Sequence, residues 1–414
     1  MTASLRILAL NWRCVHHPQA GGAEINLFEQ ARRWVRDGHQ VTVFCGNPGG
    51  ERALPRAETI DGVEVRRRGG RFTVYIYAAL YLIRHGHTFD RILDVANGIP
   101  FFTPLFTRMP GSLLIHHVHD RQWFSEFPFV VAVIGRFLEQ RVVPLVYRTW
   151  PVIAVSSTTR DGLLRMGFKR SRIHIIHNGM IQPDPSSPEN TPAKTGRRVV
   201  YVGRLKRYKR LDLLVHALAA LRHTFPDIHL DIVGDGDARP AIEALIARLG
   251  VGSNVTLHGY VDEARKTDML RAATVFATPS MHEGWGLSVI EANAYGCPAV
   301  AYDVPGLRAA IRHGETGWLA ADDEGFRHGL SFLLRDTVTR ERYATAARAW
   351  ARRFTWDACA SDTLDVLSSA GRDARAGTVP SAGAPRAALY AADAMPTDHP
   401  DRRRDTVGMA DSAV

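Results

Sequence analysis

Short apolar runs alternate with longer amphipathic stretches along most of this chain. "LRILAL", residues 5–10, reads as a buried strand, and "QAGGAEINLFEQARRWVRDGH" as a loop feeding a helix that Gly38 stops. "QVTVFCG", "RILDVAN", "SLLIHHVH" and "VIAVSS" follow as further strands, with helical stretches between them. The run 181–197, "IQPDPSSPENTPAKTGR", breaks this rhythm with Pro, Ser and Thr and reads as a linker. The rhythm then restarts. "VVYVGRL", "HLDIVGDG", "NVTLHG", "VFATPS" and "PAVAYD" read as strands, with "LDLLVHALAALRHTF", "RPAIEALIARLG", "KTDMLRAA" and "LSVIEANAYG" as the helices between them. Repeated strand–helix–strand units predict parallel sheets with helices on both faces. The expected fold is therefore α/β, with two Rossmann-like, doubly wound domains at 1–180 and 198–345. Ligands of such sheets bind beyond the carboxyl ends of the strands, which points to a central cleft between the domains. From 368 to 414 large apolar residues thin out among Ala, Gly, Pro, Asp and Arg, the composition of a disordered tail.

That layout gives the stretch "MHEGWGLSVIEANAYGCP" its interest, because it starts where the strand "TVFATPS" ends. Gly284 and Gly286 can take backbone angles closed to other residues and let a ligand approach the main chain. The next helix is expected to begin near Leu287, where free amide groups make a seat for an anion such as a diphosphate. Glu291, about one turn further in, can accept two ribose hydroxyls through its two oxygens. Glu283, before the turn, faces the other side of the phosphates, where a sugar would lie. Two glutamates at this spacing also arise by chance, so the strand, glycine loop and helix around them carry the reading. In "YVGRLKRYKRLD", Arg204 and Lys209 are the expected cations for a departing diphosphate, within a run whose other basic residues fit a solvated surface. "GDGD" sets Asp235 and Asp237 two apart on a glycine turn, where they could cap a helix beginning at Arg239 as readily as serve a metal.

The first half offers Gly21 and Gly22 between a strand and a helix, and the histidines of "IHHVHD". Alternation along a strand would put His117 and His119 on one face and His116 on the other. A metal pair, buried histidines satisfied by neighbours, and site residues at a strand end all fit. The metal reading lacks a third ligand nearby. His119, with Asp120 beside it, is read here as a site residue. Gly203, Gly234, Val261, Trp285, Leu287 and Ser288 complete the expected substrate contacts, and no metal site or cofactor is expected.

Charge adds one asymmetry. Residues 1–180 hold 23 Lys and Arg against 13 Asp and Glu, whereas 181–366 hold 23 against 23 and 367–414 hold 6 against 6. The whole excess of +10 thus lies in the first half, which suits either a solvated basic surface or a face for an anionic membrane or a phosphate-bearing acceptor. The arginines are scattered and no nucleic-acid-binding signature is present, so nucleic acid is not an expected partner. No apolar run reaches the roughly 18–20 residues of a membrane span, and the N-terminus lacks the pattern of a signal peptide. Cys14, Cys45, Cys297 and Cys359 show no metal spacing and read as buried thiols of a reducing compartment. The expectation is a cytoplasmic protein, with peripheral attachment to the inner face of the membrane as an option.

"GGAE", "HVHD", "VSSTTRDGLLRMG", "IHIIHNGM", "VGRLKRYKRLD", "VGDGD" and "PSMHEGWGLSVIEANAYGCPAV" occur in an order that resembles the retaining glycosyltransferases of family 4, which have the GT-B fold. The resemblance covers roughly residues 5–366. It implies transfer of a sugar from a GDP- or UDP-sugar to an acceptor hydroxyl, with the anomeric configuration retained, in the synthesis of glycolipid, polysaccharide or other cell-envelope glycan. By the same resemblance Arg204 and Lys209 match the diphosphate cations, Glu291 the ribose carboxylate and Glu283 the sugar-facing carboxylate. His119 matches a histidine near the donor sugar, and Gly22 the glycine loop near phosphate and acceptor. It further implies a reaction without bound metal along a front-face, ion-pair-like path. A last helix, about 340–366 and set apart from the second domain as 346–367, would cross back to the first domain. "VPGLRAAI" departs from the family pattern, with Pro305-Gly306 where many relatives carry Gly-Gly and a glutamate, so no role is transferred to that loop. A nucleotide-sugar epimerase of the same fold and a non-catalytic nucleotide-sugar-binding protein are the rival readings. A nicotinamide dehydrogenase would need an early G-x-G-x-x-G, which "QAGGAE" does not supply.

Overall fold

A computed structural model describes residues 4–183, 194 and 196–370. The first lobe is an eight-stranded sheet made of β1 (Arg6–Leu10), β2 (Gln40–Cys45), β3 (Ala57–Ile60), β4 (Val63–Arg67), β5 (Arg91–Ala96), β6 (Gly111–Ile115), β7 (Val152–Ala154) and β8 (Ile173–Ile175). Its order is β3-β4-β2-β1-β5-β6-β7-β8, and every pairing is parallel except the β3–β4 hairpin. Its helices are α1 (Gly22–Arg36), α2 (Val74–His85), α3 (Trp123–Glu126), α4 (Phe129–Phe137), α5 (Val143–Val146) and α6 (Ser157–Arg165). The second lobe is a six-stranded parallel sheet of β9 (Arg197–Val202), β10 (Ile228–Val233), β11 (Val255–Gly259), β12 (Val275–Thr278), β13 (Ala299–Tyr302) and β14 (Gly317–Ala320), in the order β11-β10-β9-β12-β13-β14. Its helices are α7 (Leu211–Leu221), α8 (Arg239–Leu249), α9 (Glu263–Ala272), α10 (Leu287–Ala294), α11 (Pro305–Ala310), α12 (Asp323–Arg335) and α13 (Thr337–Ala351), and α14 (Trp356–Ser369) follows.

Strands such as β1, β6 and β12 are apolar on both faces because helices cover both sides of a parallel sheet. In each sheet the strand order reverses once, between β1 and β5 and between β9 and β12. Such reversals open a crevice beyond the strand ends. The residues that leave those ends are Asn11–Gly21 after β1, Gly203–Arg204 after β9 and Ser280–Gly286 after β12. Asn97, just past β5, donates to the Asn11 side chain at 2.8 Å across the first reversal.

Several expectations change in detail. β6 stops at Ile115, so His116–His119 form a loop and strand alternation does not govern them; the His117 and His119 rings nonetheless lie 4.0 Å apart. Neither Asp235 nor Asp237 caps α8. Ala238 holds the cap position, while Asp235 accepts from the Gly236 amide at 2.7 Å and Asp237 pairs with Lys206 at 2.7 Å. The expected last helix is two helices broken at 352–355, so a start at 346 falls inside α13. Trp350 of α13 donates to the Ala310 carbonyl in the second lobe, whereas α14 lies against the first lobe. There Trp34 donates to the Ala360 carbonyl and Arg91 to that of Leu367. α14 also runs through 368 and 369, which the reading assigned to the tail; residues 371–414, like 184–193 of the linker, lie outside the described residues.

Candidate active site

The loop after β12 is held at both ends. Gly286 takes φ +75° as the N-cap of α10, which begins at Leu287 with Ser288 behind it. Trp285 is 3% exposed and stacks on His177 at 4.1 Å and edge-on against Phe354, so its ring is a core anchor. A substrate contact at this position would have to come from its backbone. Gly284 presses on the first lobe: a Cβ there would stand 2.6 Å from the His116 carbonyl oxygen, and Ser156 donates to the Gly284 carbonyl at 2.8 Å. Gly306, in the loop that departs from the family pattern, would carry a Cβ 1.9 Å from the Glu283 carbonyl oxygen. Only a residue without a side chain lets α11 back up against Glu283 in this way.

Glu283 is thereby aimed at Lys209. Nζ of Lys209 lies 2.5 Å from Glu283 Oε1, with side chains 13% and 18% exposed. Lys209 ends a short turn after β9, and Arg210 behind it takes the left-handed conformation at φ +50°, a strained turn that redirects the chain into α7. Arg204 reaches across to the glycine loop of the first lobe, where its Cζ is 3.9 Å from the position a Gly21 Cβ would occupy. Beside it the buried Glu24 accepts from the Gly21 amide at 2.8 Å. Burial raises the Glu24 carboxyl; the Gly21 and Glu24 amides, Arg13 and Arg204 offset part of that. His117 faces the same charges. Burial pushes its proton affinity well below the ordinary imidazole range, and His119, His116, Lys209 and Arg204 push the same way, so the ring is neutral.

His119 is positioned from below by Glu139, a buried carboxylate two residues past the end of α4, in the helical turn 138–142 that continues it. One oxygen accepts from the His119 amide at 2.8 Å and lies 3.5 Å from its Nδ1. The other accepts from the Asp120 amide at 3.0 Å and from Trp123 Nε1 at 3.0 Å. Burial alone would raise this carboxyl, but the His119 ring and the two amides outweigh it and hold it below the usual carboxylate range. Asp120 itself pairs with Arg136 at 2.9 Å.

Glu291 belongs to a second pairing, with Lys266 of α9 at 3.3 Å; Lys266 also holds Glu263 at 2.8 Å. Burial raises the Glu291 carboxyl, opposed by Lys266. The remaining glycines let backbones meet. A Gly234 Cβ would be 2.0 Å from the Gly203 carbonyl oxygen, and the Gly203 amide donates to Val233, so the loops after β9 and β10 close into one floor under Arg204. Val261 packs on the apolar core beside α9, and Gly22 is the first residue of α1. Arg204, Lys209, Glu283, His117 and Gly21 are thus brought together, while Glu291 stands apart with Lys266. The sequence reading did not single out Arg13, Glu24, Glu139 or Lys266, and it named His117 only beside His119, which it preferred as the site residue. Among the described residues, no group of three or more His, Cys, Asp or Glu side chains is placed to hold a metal ion.

Two family models match consecutive parts of the chain: Glycosyltransferase Family 4 over residues 20–181 and Glycosyl transferases group 1 over 184–350. A D-inositol 3-phosphate glycosyltransferase of Xylanimonas cellulosilytica is 34% identical over 239 residues, covering 53% of this chain and 57% of that protein. A phosphatidyl-myo-inositol mannosyltransferase of Mycobacterium leprae is 34% identical over 181 residues, covering 42% of this chain and 47% of that protein. The match thus spans about half the length of these curated relatives. The fold is shared with sucrose-phosphate synthase of Thermosynechococcus elongatus (TM-score 0.74, 20% identity, 90% of this chain and 100% of that one). It is shared also with HepE of Anabaena, solved with UDP and glucose (TM-score 0.67, 21% identity, 88% and 100%). The chain belongs to the family-4 glycosyltransferases of the GT-B fold.

Proposed function

We propose that this glycosyltransferase is a retaining enzyme that moves a sugar from a GDP- or UDP-sugar to an acceptor hydroxyl. One observation carries the reading: Arg204 and Lys209 of the second lobe meet Gly21 and the neutral His117 of the first, so fixed positive charge is concentrated where the two strand-order reversals face each other. The diphosphate would lie over the start of α10, with Glu291 on the ribose and Glu283 toward the sugar. As the bond from the anomeric carbon to the phosphate oxygen breaks, one further negative charge gathers on the leaving group, and Arg204 and Lys209 stabilise it without a metal ion. The acceptor oxygen attacks from the face the phosphate leaves, and its proton passes to the departing phosphate oxygen. His119, held by Glu139, positions the sugar from the first lobe.

The names of the curated relatives and the basic first half favour a lipid-linked or other cell-envelope acceptor, met at the inner face of the membrane. No helix among the described residues is long and apolar enough to cross a membrane. A panel of GDP- and UDP-sugars screened by thermal shift, followed by transfer assays on the stabilising donor, tests the reading. The expected product keeps the donor's anomeric configuration in its proton coupling. An inverted product would overturn retention, and the absence of stabilisation by every nucleotide sugar would overturn the donor class.

A further inference from the structure

Helices α2 and α4 are apolar on the side they turn to solvent. α2 buries Val74, Ala78 and Leu82 yet exposes Ile76, Leu80 and Ile83, a second apolar stripe at helical spacing. α4 buries only Ala132 and Gly135 and exposes Phe129, Val130, Val133, Ile134 and Phe137, with Phe129 72% exposed. Soluble helices place polar residues on that side, so a face of this kind needs a cover. The two helices border one surface. The Arg71 guanidinium lies 5.4 Å from the Phe72 ring at the start of α2 and 5.1 Å from the Phe127 ring just before α4.

Charge selects the occupant. Neither helix contains Asp or Glu, and the exposed arginines in and beside them are Arg71, Arg84, Arg136 and Arg141, of which Arg136 pairs with Asp120; of the flanking acids, Glu126 precedes α4 and Glu139, just past it, is buried. A second copy docked by a twofold axis would bring such arginines against their own images. An anionic bilayer meets both features, taking the apolar side chains below its headgroups and the arginines at its surface. At 12 and 9 residues the helices are too short to span, and suit lying in the interface.

We propose that α2 and α4 form a docking face for an anionic phospholipid bilayer, and that this face delivers a membrane-borne acceptor to the first-lobe side of the site. The second part rests on the glycosyltransferase reading; the first does not. The route is short. A Cβ at Gly135 would stand 2.6 Å from the Trp123 ring, so α4 lies directly on that indole, which in turn lies 5.5 Å from the His119 ring. Glu139, two residues past α4, accepts from the His119 and Asp120 amides. The lipid-facing helix is therefore one ring away from the proposed sugar-positioning histidine.

Sedimentation of the full chain with vesicles of equimolar phosphatidylcholine and phosphatidylglycerol, and with phosphatidylcholine alone, tests the docking. Binding is expected to the anionic vesicles at low salt, weakened by high salt. The double variant Phe129→Glu/Ile134→Glu should bind at least about tenfold more weakly, as the loss of two apolar insertions implies. Its donor affinity, read by thermal shift, should match the wild type and so report an intact fold. No binding of the wild type to anionic vesicles, or equal binding by the variant, overturns the docking. So does a wild-type dimer in light scattering that the variant abolishes, if neither protein binds lipid. Lipid binding with no response to any nucleotide sugar keeps the docking and removes the acceptor-delivery half together with the donor reading.

Discussion

Lys209→Ala removes the cation that Glu283 holds at 2.5 Å, and the structure sets the size of the effect. Both side chains are mostly but not wholly buried, so an effective dielectric of about 20 is appropriate, at which unit charges about 4 Å apart interact by about 4 kcal/mol. Only the part that grows as the phosphate departs accelerates the reaction. Losing one fixed donor to developing charge costs about 2.7 kcal/mol, or about 10²-fold in turnover. The variant also leaves Glu283 unpaired beside the departing anion, which pushes the loss beyond that figure. The decisive comparison is among Lys209→Ala, Glu283→Gln and the double variant, by initial rates of transfer at saturating donor. If Lys209 acts on the phosphate, the double variant stays at least about 10²-fold below Glu283→Gln. A single variant as fast as wild type, or a double variant that recovers to the Glu283→Gln rate, would refute the assignment, because Lys209 would then serve only to neutralise Glu283.

Three other perturbations follow from the same contacts. Because the folded Glu291 carboxyl titrates above its ordinary 4.5, donor affinity should fall as pH drops through that raised value, and Glu291→Gln should flatten the profile while weakening binding roughly 10–100-fold, measured by calorimetric titration. Glu139 has the opposite sign: its folded value is depressed, so its stabilisation is present above about pH 4.5 and is lost as pH falls through the folded value. Glu139→Ala, which orphans the His119 and Asp120 amides and Trp123 Nε1, should cost on the order of 1–3 kcal/mol or more at pH 7 in urea unfolding and lower transfer. Gly284→Ala, whose Cβ would meet the His116 carbonyl at 2.6 Å, should reduce turnover without removing any charge, and unchanged kinetics would show that the interlobe contact is dispensable.

Much of this architecture was legible because parallel sheets advertise themselves as apolar runs separated by helical periods. Strand ends then indicated where chemistry gathers, and Arg204, Lys209 and Glu283 lie near such ends. The short β3–β4 hairpin and the edge strands β8 and β14 went unread, since runs of three to five residues carry little pattern. His117 and Lys266 owe their places to contacts across helices or lobes that no local spacing encodes, whereas Glu24 bonds the Gly21 amide three residues back and meets the field of Arg204 only across the lobes. Glu139 did leave a signal, a lone carboxylate in "VVAVIGRFLEQRVV", where a charge among apolar helical positions must have a buried partner. Trp285 runs the other way. A tryptophan between two glycines at a strand end resembles a ligand-facing residue, but the turn folds its ring inward against His177 and Phe354.

That inward fold explains the Gly-Trp-Gly turn as a device. Its three residues do different things: Gly284 admits the His116 carbonyl of the opposite lobe, Trp285 fixes the loop in an apolar cluster common to both lobes, and Gly286 supplies the left-handed angle from which α10 departs. Glu283, with Gly306 behind it, is left one orientation, toward Lys209. The polarity of the site is divided in the same way, because Arg204 is balanced by Glu24 of the first lobe and His117 is kept neutral partly by cations of the second. Neither lobe holds the charge arrangement alone. A change in how the lobes meet would therefore alter the electrostatics of the proposed donor site before it altered any single residue, and the glycine contact is where the lobes come closest in this loop.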